Sequence, residues 1–190
     1  AMWLAAGRGV GGEGGLATGG GAVIEHFHTA ALIQDVIAEG EELRRGEPGM
    51  HCTEGIGLAI NAGDLALSLV NGTVVEDPYL DDHTKVRVIS ELIEMTRRTI
   101  EGKALDIGCA RDGRHDIAPP AYLVMATHKT ANYSCAVPLA VGAIIGGGTA
   151  AEAEALRSSG RDTALAFPLT DHRHHHSGND AATTTHSRTH

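Results

Sequence analysis

The stretch Gln34-Asp35-Val36-Ile37-Ala38-Glu39-Gly40-Glu41-Glu42-Leu43-Arg44-Arg45-Gly46 gathers the residue types best suited to phosphate chemistry. On a helix, residues four apart differ by about 40° around the axis and residues seven apart by about 20°. That spacing predicts Asp35, Glu39 and Glu42 on one face. Like charges stacked in this way repel by roughly a few tenths of a kcal/mol per pair unless a cation sits between them. Mg²⁺ suits the place, because it takes one or two carboxylates and keeps positions free for water and phosphate oxygens. Arg44 and Arg45 follow at once, and a guanidinium fork matches diphosphate oxygens. A solvated acidic face followed by a basic helix end would account for the same residues separately. Composition alone leaves both readings open.

These residues need rigid elements to present them. The chain of 190 residues is 42% apolar and 21% charged, as expected for one globular domain, but only 3% aromatic. Its core must therefore be built from Leu, Ile, Val, Met and Ala, which favours packed helices over a β-sandwich. A net charge of −9 excludes nucleic acid as the main partner, since that surface has to be basic. Three widely spaced cysteines (Cys52, Cys109 and Cys135) point to a reduced protein in the cytoplasm. No apolar run approaches the ~18 residues of a membrane span, so none is expected.

Nine of the first 21 residues are glycine, which predicts a flexible lead-in over 1–21. The lysine and hydroxyl ending of a phosphate-binding loop is absent there. From 22 to 171 the apolar residues recur at helical spacing. A first helix is expected from Val23 to about Leu43, a second over Thr53–Val70 ending at Asn71-Gly72, and a third over Thr84–Ile107. A fourth should run from Ala121 to Ile145, with Pro138 kinking it or ending its first half, and a fifth over Ala150–Leu169. The tail over 172–190 is polar, carries six of the chain's 12 histidines and is expected to be disordered.

The order of the residues separates the two readings of the acidic run. From Glu25 and His28 through Leu32-Ile33-Gln34-Asp35 to Arg44-Arg45-Gly46-Glu47-Pro48, the chain resembles the first aspartate-rich motif of trans-prenyl diphosphate synthases. The resemblance continues through His51, Ala59-Ile60-Asn61-Ala62-Gly63-Asp64-Leu65 and Glu101-Gly102-Lys103-Ala104-Leu105-Asp106. It then takes in Lys129-Thr130-Ala131, Pro138-Leu139-Ala140-Val141-Gly142 and Ala166-Phe167-Pro168-Leu169-Thr170-Asp171. The fold it implies is an all-α antiparallel helical bundle, incomplete at both ends. The function it implies is Mg²⁺-dependent condensation of isopentenyl diphosphate with an allylic diphosphate, giving a longer polyprenyl diphosphate of geranylgeranyl type or beyond.

By the same resemblance, Asp35, Glu39, Asp106 and Asp171 are metal ligands. Arg44, Lys129 and Thr130 hold the allylic diphosphate, Arg45 serves isopentenyl diphosphate, and His51 is a further substrate-binding residue. Asp35, Glu39, Arg44 and Lys129 carry catalysis, and the small Ala30 and Ala31 leave room for a long product. A homodimer, or pairing with an intact synthase, is implied as well. The chain departs from the family pattern at Val36, where a second aspartate is usual, at Glu39 for aspartate, and at Lys103, where glutamine is usual. The second acidic motif is reduced to Asp171, and the upstream Gly-Lys-Arg segment has no counterpart. Two alternatives stand beside transfer: a non-catalytic helical subunit paired with an intact synthase, and a class I terpene cyclase.

Overall fold

The computed structural model describes residues 2–11, 18–44, 46–114 and 116–179, with side chains throughout except at 3–4, 18–20 and 166–179. Among them the protein is all-α apart from one hairpin of two-residue strands. The helices are α1 (Met2–Gly9), α2 (Thr18–Glu39), α3 (Met50–Thr53), α4 (Ile56–Glu76) and α5 (Asp82–Arg111). They are followed by α6 (Pro119–Ala126), a π-helical segment (Thr127–Ala136), α7 (Val137–Ile145) and α8 (Ala150–Asn179). Strands β1 (Leu43–Arg44) and β2 (Glu47–Pro48) pair antiparallel between α2 and α3, Arg44 opposite Glu47.

The core forms where the apolar stripes meet. Val23 and Phe27 of α2, Val70 and Val74 of α4, Val88, Leu92 and Met95 of α5, and Val137, Val141 and Ile144 of α7 make one buried cluster. Each such side chain stabilises the fold by roughly 1.5–3 kcal/mol. α7 is buried along its length and is packed by α1, α2, α5 and α8. α2 and α4 lie against each other over many residues. Asp81 caps α5, its carboxylate accepting a hydrogen bond of 2.7 Å from the Thr84 amide.

Several elements differ from what periodicity predicts. Where a flexible lead-in is expected, Met2–Gly9 are helical and pack on α7. A β-carbon on Gly146 would lie 2.6 Å from the Gly7 carbonyl oxygen, so glycine here permits close backbone approach. α4 runs through Asn71-Gly72 to Glu76, because Val70 and Val74 on either side of the turn signal are both buried. α4 is also long and apolar enough to cross a membrane by length and composition alone. α8 continues from Leu169 to Asn179.

Pro138 does not end the fourth helical stretch. Proline cannot donate to the carbonyl four residues earlier and its ring crowds that carbonyl. The wider π-helical winding of Thr127–Ala136 directly before α7 accommodates it. α2, in turn, stops at Glu39 rather than near Leu43. Gly40 takes a left-handed φ of 66°. The amides of Gly40 and Glu41 then reach back to the carbonyls of Ile37 and Val36, the glycine stop common at helix ends.

Candidate active site

That stop decides which carboxylates share a face. Asp35 and Glu39 stand on the last turns of α2, but Glu42 lies beyond Gly40 in the turn leading to β1. The expected alignment of Glu42 with the other two is therefore corrected. Val36 is only 4% exposed and belongs to the core, so the position after Asp35 faces inward and an apolar residue suits it.

Lys103 of α5 reaches both carboxylates. Its ammonium lies 2.9 Å from Asp35 Oδ1 and 2.5 Å from Glu39 Oε1. Burial opposes the charge on Lys103, yet its hydrogen bonds to Glu39 and Asp35 prevail and raise its pKa above the ordinary lysine value. The Lys103 hydrogen bond is likewise the chief cause holding Glu39 below the ordinary carboxylate value, against the penalty of burial. The charges of Lys103, Lys129 and Arg44 act in the same direction.

A second pair stands beside the first. Lys129 Nζ is 2.5 Å from Asp106 Oδ2, joining the π-helical segment to α5. The two elements touch backbone to backbone here. A β-carbon on Gly102 would overlap the Lys129 amide nitrogen and lie 2.8 Å from His128 Cβ. α5 therefore presents Lys103 and Asp106 directly opposite the segment that carries Lys129 and Thr130.

Between α2, α4, α5 and the π-helical segment lies a cavity of about 320 Å³. Asp35, Lys103, Lys129 and Thr130 line it together with the apolar Phe27, Ala31, Leu67 and Ile100. Along α2 the lining passes from Phe27 through Ala31 to Asp35, a rise of about 12 Å at 1.5 Å per residue. The Tyr133 ring closes on Phe27 with centroids 5.5 Å apart. Burial, followed by the charge of Asp35, raises the Tyr133 pKa. A space that joins charged groups of both signs to an apolar lining suits an anionic head on a hydrocarbon chain.

The site residues expected from the sequence divide accordingly. Asp35, Lys129, Thr130 and Ala31 line the cavity, and Glu39 and Asp106 sit next to it through their lysine partners. Ala30 is 1% exposed and is not part of the lining. Arg44 lies on β1 and pairs with Glu41 at 2.9 Å. His51 packs its ring beneath Gly49, and its Nδ1 is buried without a hydrogen-bond partner among the described residues. Neither lines the cavity. Arg45 and the Asp171 side chain lie outside the described residues. Thr96, Thr99 and Tyr133 also line the cavity and escaped the sequence reading. The helical spacing of Thr96, Thr99, Ile100 and Lys103 was the available signal.

Among the described residues no three histidine, cysteine or carboxylate side chains gather as a metal cage. Asp35 and Glu39 do converge on a single cation, the Lys103 ammonium. Two carboxylates completed by diphosphate oxygens and water form a donor set that Mg²⁺ accepts, so the residues fit that ion.

The profile of the polyprenyl synthetase family matches residues 9–183. The chain belongs to the polyprenyl synthetase family. It is 38% identical over 162 residues to the short chain isoprenyl diphosphate synthase of Methanothermobacter thermautotrophicus, covering 85% of this chain and 48% of that protein. It is 33% identical over 168 residues to putative geranylgeranyl pyrophosphate synthase 8 of Arabidopsis thaliana, covering 85% and 46% respectively. Among solved structures, the geranylgeranyl pyrophosphate synthetase of Pyrococcus horikoshii superposes with a TM-score of 0.82 at 29% identity, over 90% of this chain and 51% of that one. The chain spans about half the length of the relatives it matches. The resemblance in the sequence motifs and the all-α isoprenoid synthase fold are both confirmed.

Proposed function

We propose that this chain is a trans-prenyltransferase, lengthening an allylic diphosphate with isopentenyl diphosphate. The observation that supports it is one cavity in which Asp35 on α2, Lys129 and Thr130 on the π-helical segment, and the apolar Phe27, Ala31 and Ile100 all take part. Family membership and relatives named for isoprenyl and geranylgeranyl diphosphate synthesis support the same substrate class.

On this reading the allylic diphosphate lies with its anion between Asp35 and Lys129 and its hydrocarbon chain along Ala31 and Phe27. Asp35 and Glu39 would hold Mg²⁺, with Asp106 and Asp171 completing the acidic set. The bound ion would neutralise the diphosphate and ease its departure. Lys129 and the Thr130 hydroxyl take up leaving-group charge. The allylic C–O bond breaks, and the carbocation left behind is shielded from water by the apolar lining and faced by the aromatic rings of Phe27 and Tyr133. The double bond of isopentenyl diphosphate, held by Arg45, with Arg44 on the allylic side and His51 as a further substrate-binding residue, attacks the cation. A carbon–carbon bond forms, and the proton lost from the carbon beside the new cation passes to the released diphosphate. Ala31 leaves room for a product of geranylgeranyl length or more. We place the enzyme in the cytoplasm as a dimer.

A second reading, a non-catalytic subunit that pairs with an intact synthase, draws on the exposed Leu58, Leu65 and Leu69 of α4. Cyclisation is disfavoured by the relatives, which are named for isoprenyl and geranylgeranyl diphosphate synthesis. Labelled isopentenyl diphosphate, offered with geranyl, farnesyl and geranylgeranyl diphosphates in Mg²⁺, tests all three readings. Elongated diphosphates support transfer. Product formed only on mixing with an intact synthase supports the subunit, and a cyclic hydrocarbon without isopentenyl diphosphate supports the cyclase.

A further inference from the structure

The Lys103 ammonium occupies the one point on which Asp35 and Glu39 converge, 2.9 Å and 2.5 Å from their oxygens. We propose that Lys103 is a tethered cation that competes with divalent metal for the Asp35–Glu39 carboxylates, so that metal takes this pair only when the lysine leaves it. The inference deepens the transferase reading and rests on it.

The geometry makes competition unavoidable. Mg²⁺ binds carboxylate oxygens at about 2.0–2.1 Å, so an ion shared by Asp35 and Glu39 would fall within a few ångströms of the ammonium. Two cations that close repel at any realistic dielectric constant. The lysine cannot drift far away either. Gly102, the residue before it, lies in backbone contact with His128 and Lys129, which fixes this part of α5 beside the cavity. Only the flexible four-carbon stem can move the charge, and the side chain is 16% exposed.

Asp106, three residues further along α5, already holds Lys129. Among the described residues, a displaced Lys103 therefore finds no unpaired carboxylate lining the cavity until a diphosphate enters. Metal uptake and diphosphate binding become linked through one side chain, each favouring the other. Glutamine at 103 would remove both the competing charge and the link.

Binding of Mn²⁺ alone, followed by the loss of the free-ion electron paramagnetic resonance signal, tests this on the full chain without any turnover. Lys103→Gln should bind Mn²⁺ at least about tenfold more tightly than the unaltered chain. Lys103→Met, which keeps the apolar stem, should do the same and carries the comparison if the glutamine variant unfolds. Adding Glu39→Gln to either should cancel the gain. Equal or weaker binding by the folded variants would overturn the proposal while leaving the transferase reading intact. No Mn²⁺ binding by any of them would also overturn the proposal, because removing the lysine charge would then not have freed the carboxylate pair, while the transferase reading stands on its own incorporation assay. Loss of fold in both lysine variants would make the ion pair a structural support and overturn it as well.

Discussion

Gly102 of α5 and Lys129 of the π-helical segment meet main chain to main chain, with no room for a β-carbon at position 102. This contact brings the Lys103 side of α5 to the Lys129 side of the facing segment, and so sets the width of the cavity between them. Gly102→Ala should therefore push the two elements apart. We expect a loss of about 1–3 kcal/mol in denaturant unfolding, the usual cost of overpacking. Activity should fall further than stability. A substitution that changes neither would show that the contact is loose.

Lys129 is expected to matter to the reaction far more than to the fold. Its pair with Asp106 is about one-third exposed on both sides, and such pairs contribute about 0–1 kcal/mol. Lys129→Met should leave the unfolding midpoint nearly unchanged. The turnover number should fall by roughly 10²-fold or more, the scale for losing a group that meets leaving-group charge. Steady-state kinetics beside thermal unfolding separate the two effects.

The alanines expected to govern product length behave differently. Ala31 lines the cavity whereas Ala30 is buried outside it. Ala31→Phe should fill the apolar end and shift the product distribution towards shorter chains, as read by chromatography of the dephosphorylated alcohols. Ala30→Phe should instead cost about 1–3 kcal/mol of stability through overpacking, with little change in chain length among the products of the folded fraction.

Asp81 gives a pH-dependent prediction. The hydrogen bond from the Thr84 amide is the main cause that lowers its carboxyl below the ordinary aspartate value. A folded pKa below the unfolded one means that the cap stabilises fully above about pH 4 and loses its contribution as pH falls through the folded value. Asp81→Ala should lower the melting temperature at neutral pH. The gap to the unaltered chain should narrow as pH falls below about 4. Asp81→Asn retains an acceptor and should melt closer to the unaltered chain at neutral pH.

The helices were readable because their apolar positions recur: Val23, Phe27 and Ile37 for α2, and Val86, Ile89, Ile93 and Ile100 for α5, although the face that α5 buries carries Val88, Leu92 and Met95 while Val86, Ile93 and Ile100 are exposed. Asn71-Gly72 misled, since burial of Val70 and Val74 outweighs a local turn preference. α1 is too short to show a period, and its glycines serve contact with α7 rather than freedom. Glu42 was misplaced because the left-handed turn at Gly40 ends α2 before the charge pattern does. The motif order identified Asp35, Lys129 and Thr130 as residues of one site. It marked Lys103 as unusual but could not reveal that it meets Asp35, 68 positions earlier in the numbering, because only packing of α5 on α2 creates that contact.

The transferase account depends on Asp35 acting across the cavity from Lys129, and incorporation of labelled isopentenyl diphosphate into farnesyl diphosphate in Mg²⁺ puts it to trial. The unaltered chain should yield longer polyprenyl diphosphates. Asp35→Asn, with its helical circular dichroism unchanged, should lose at least about 10²-fold in rate. Soluble, helical protein that makes no elongated product, or an Asp35→Asn variant as fast as the unaltered chain, would contradict the account.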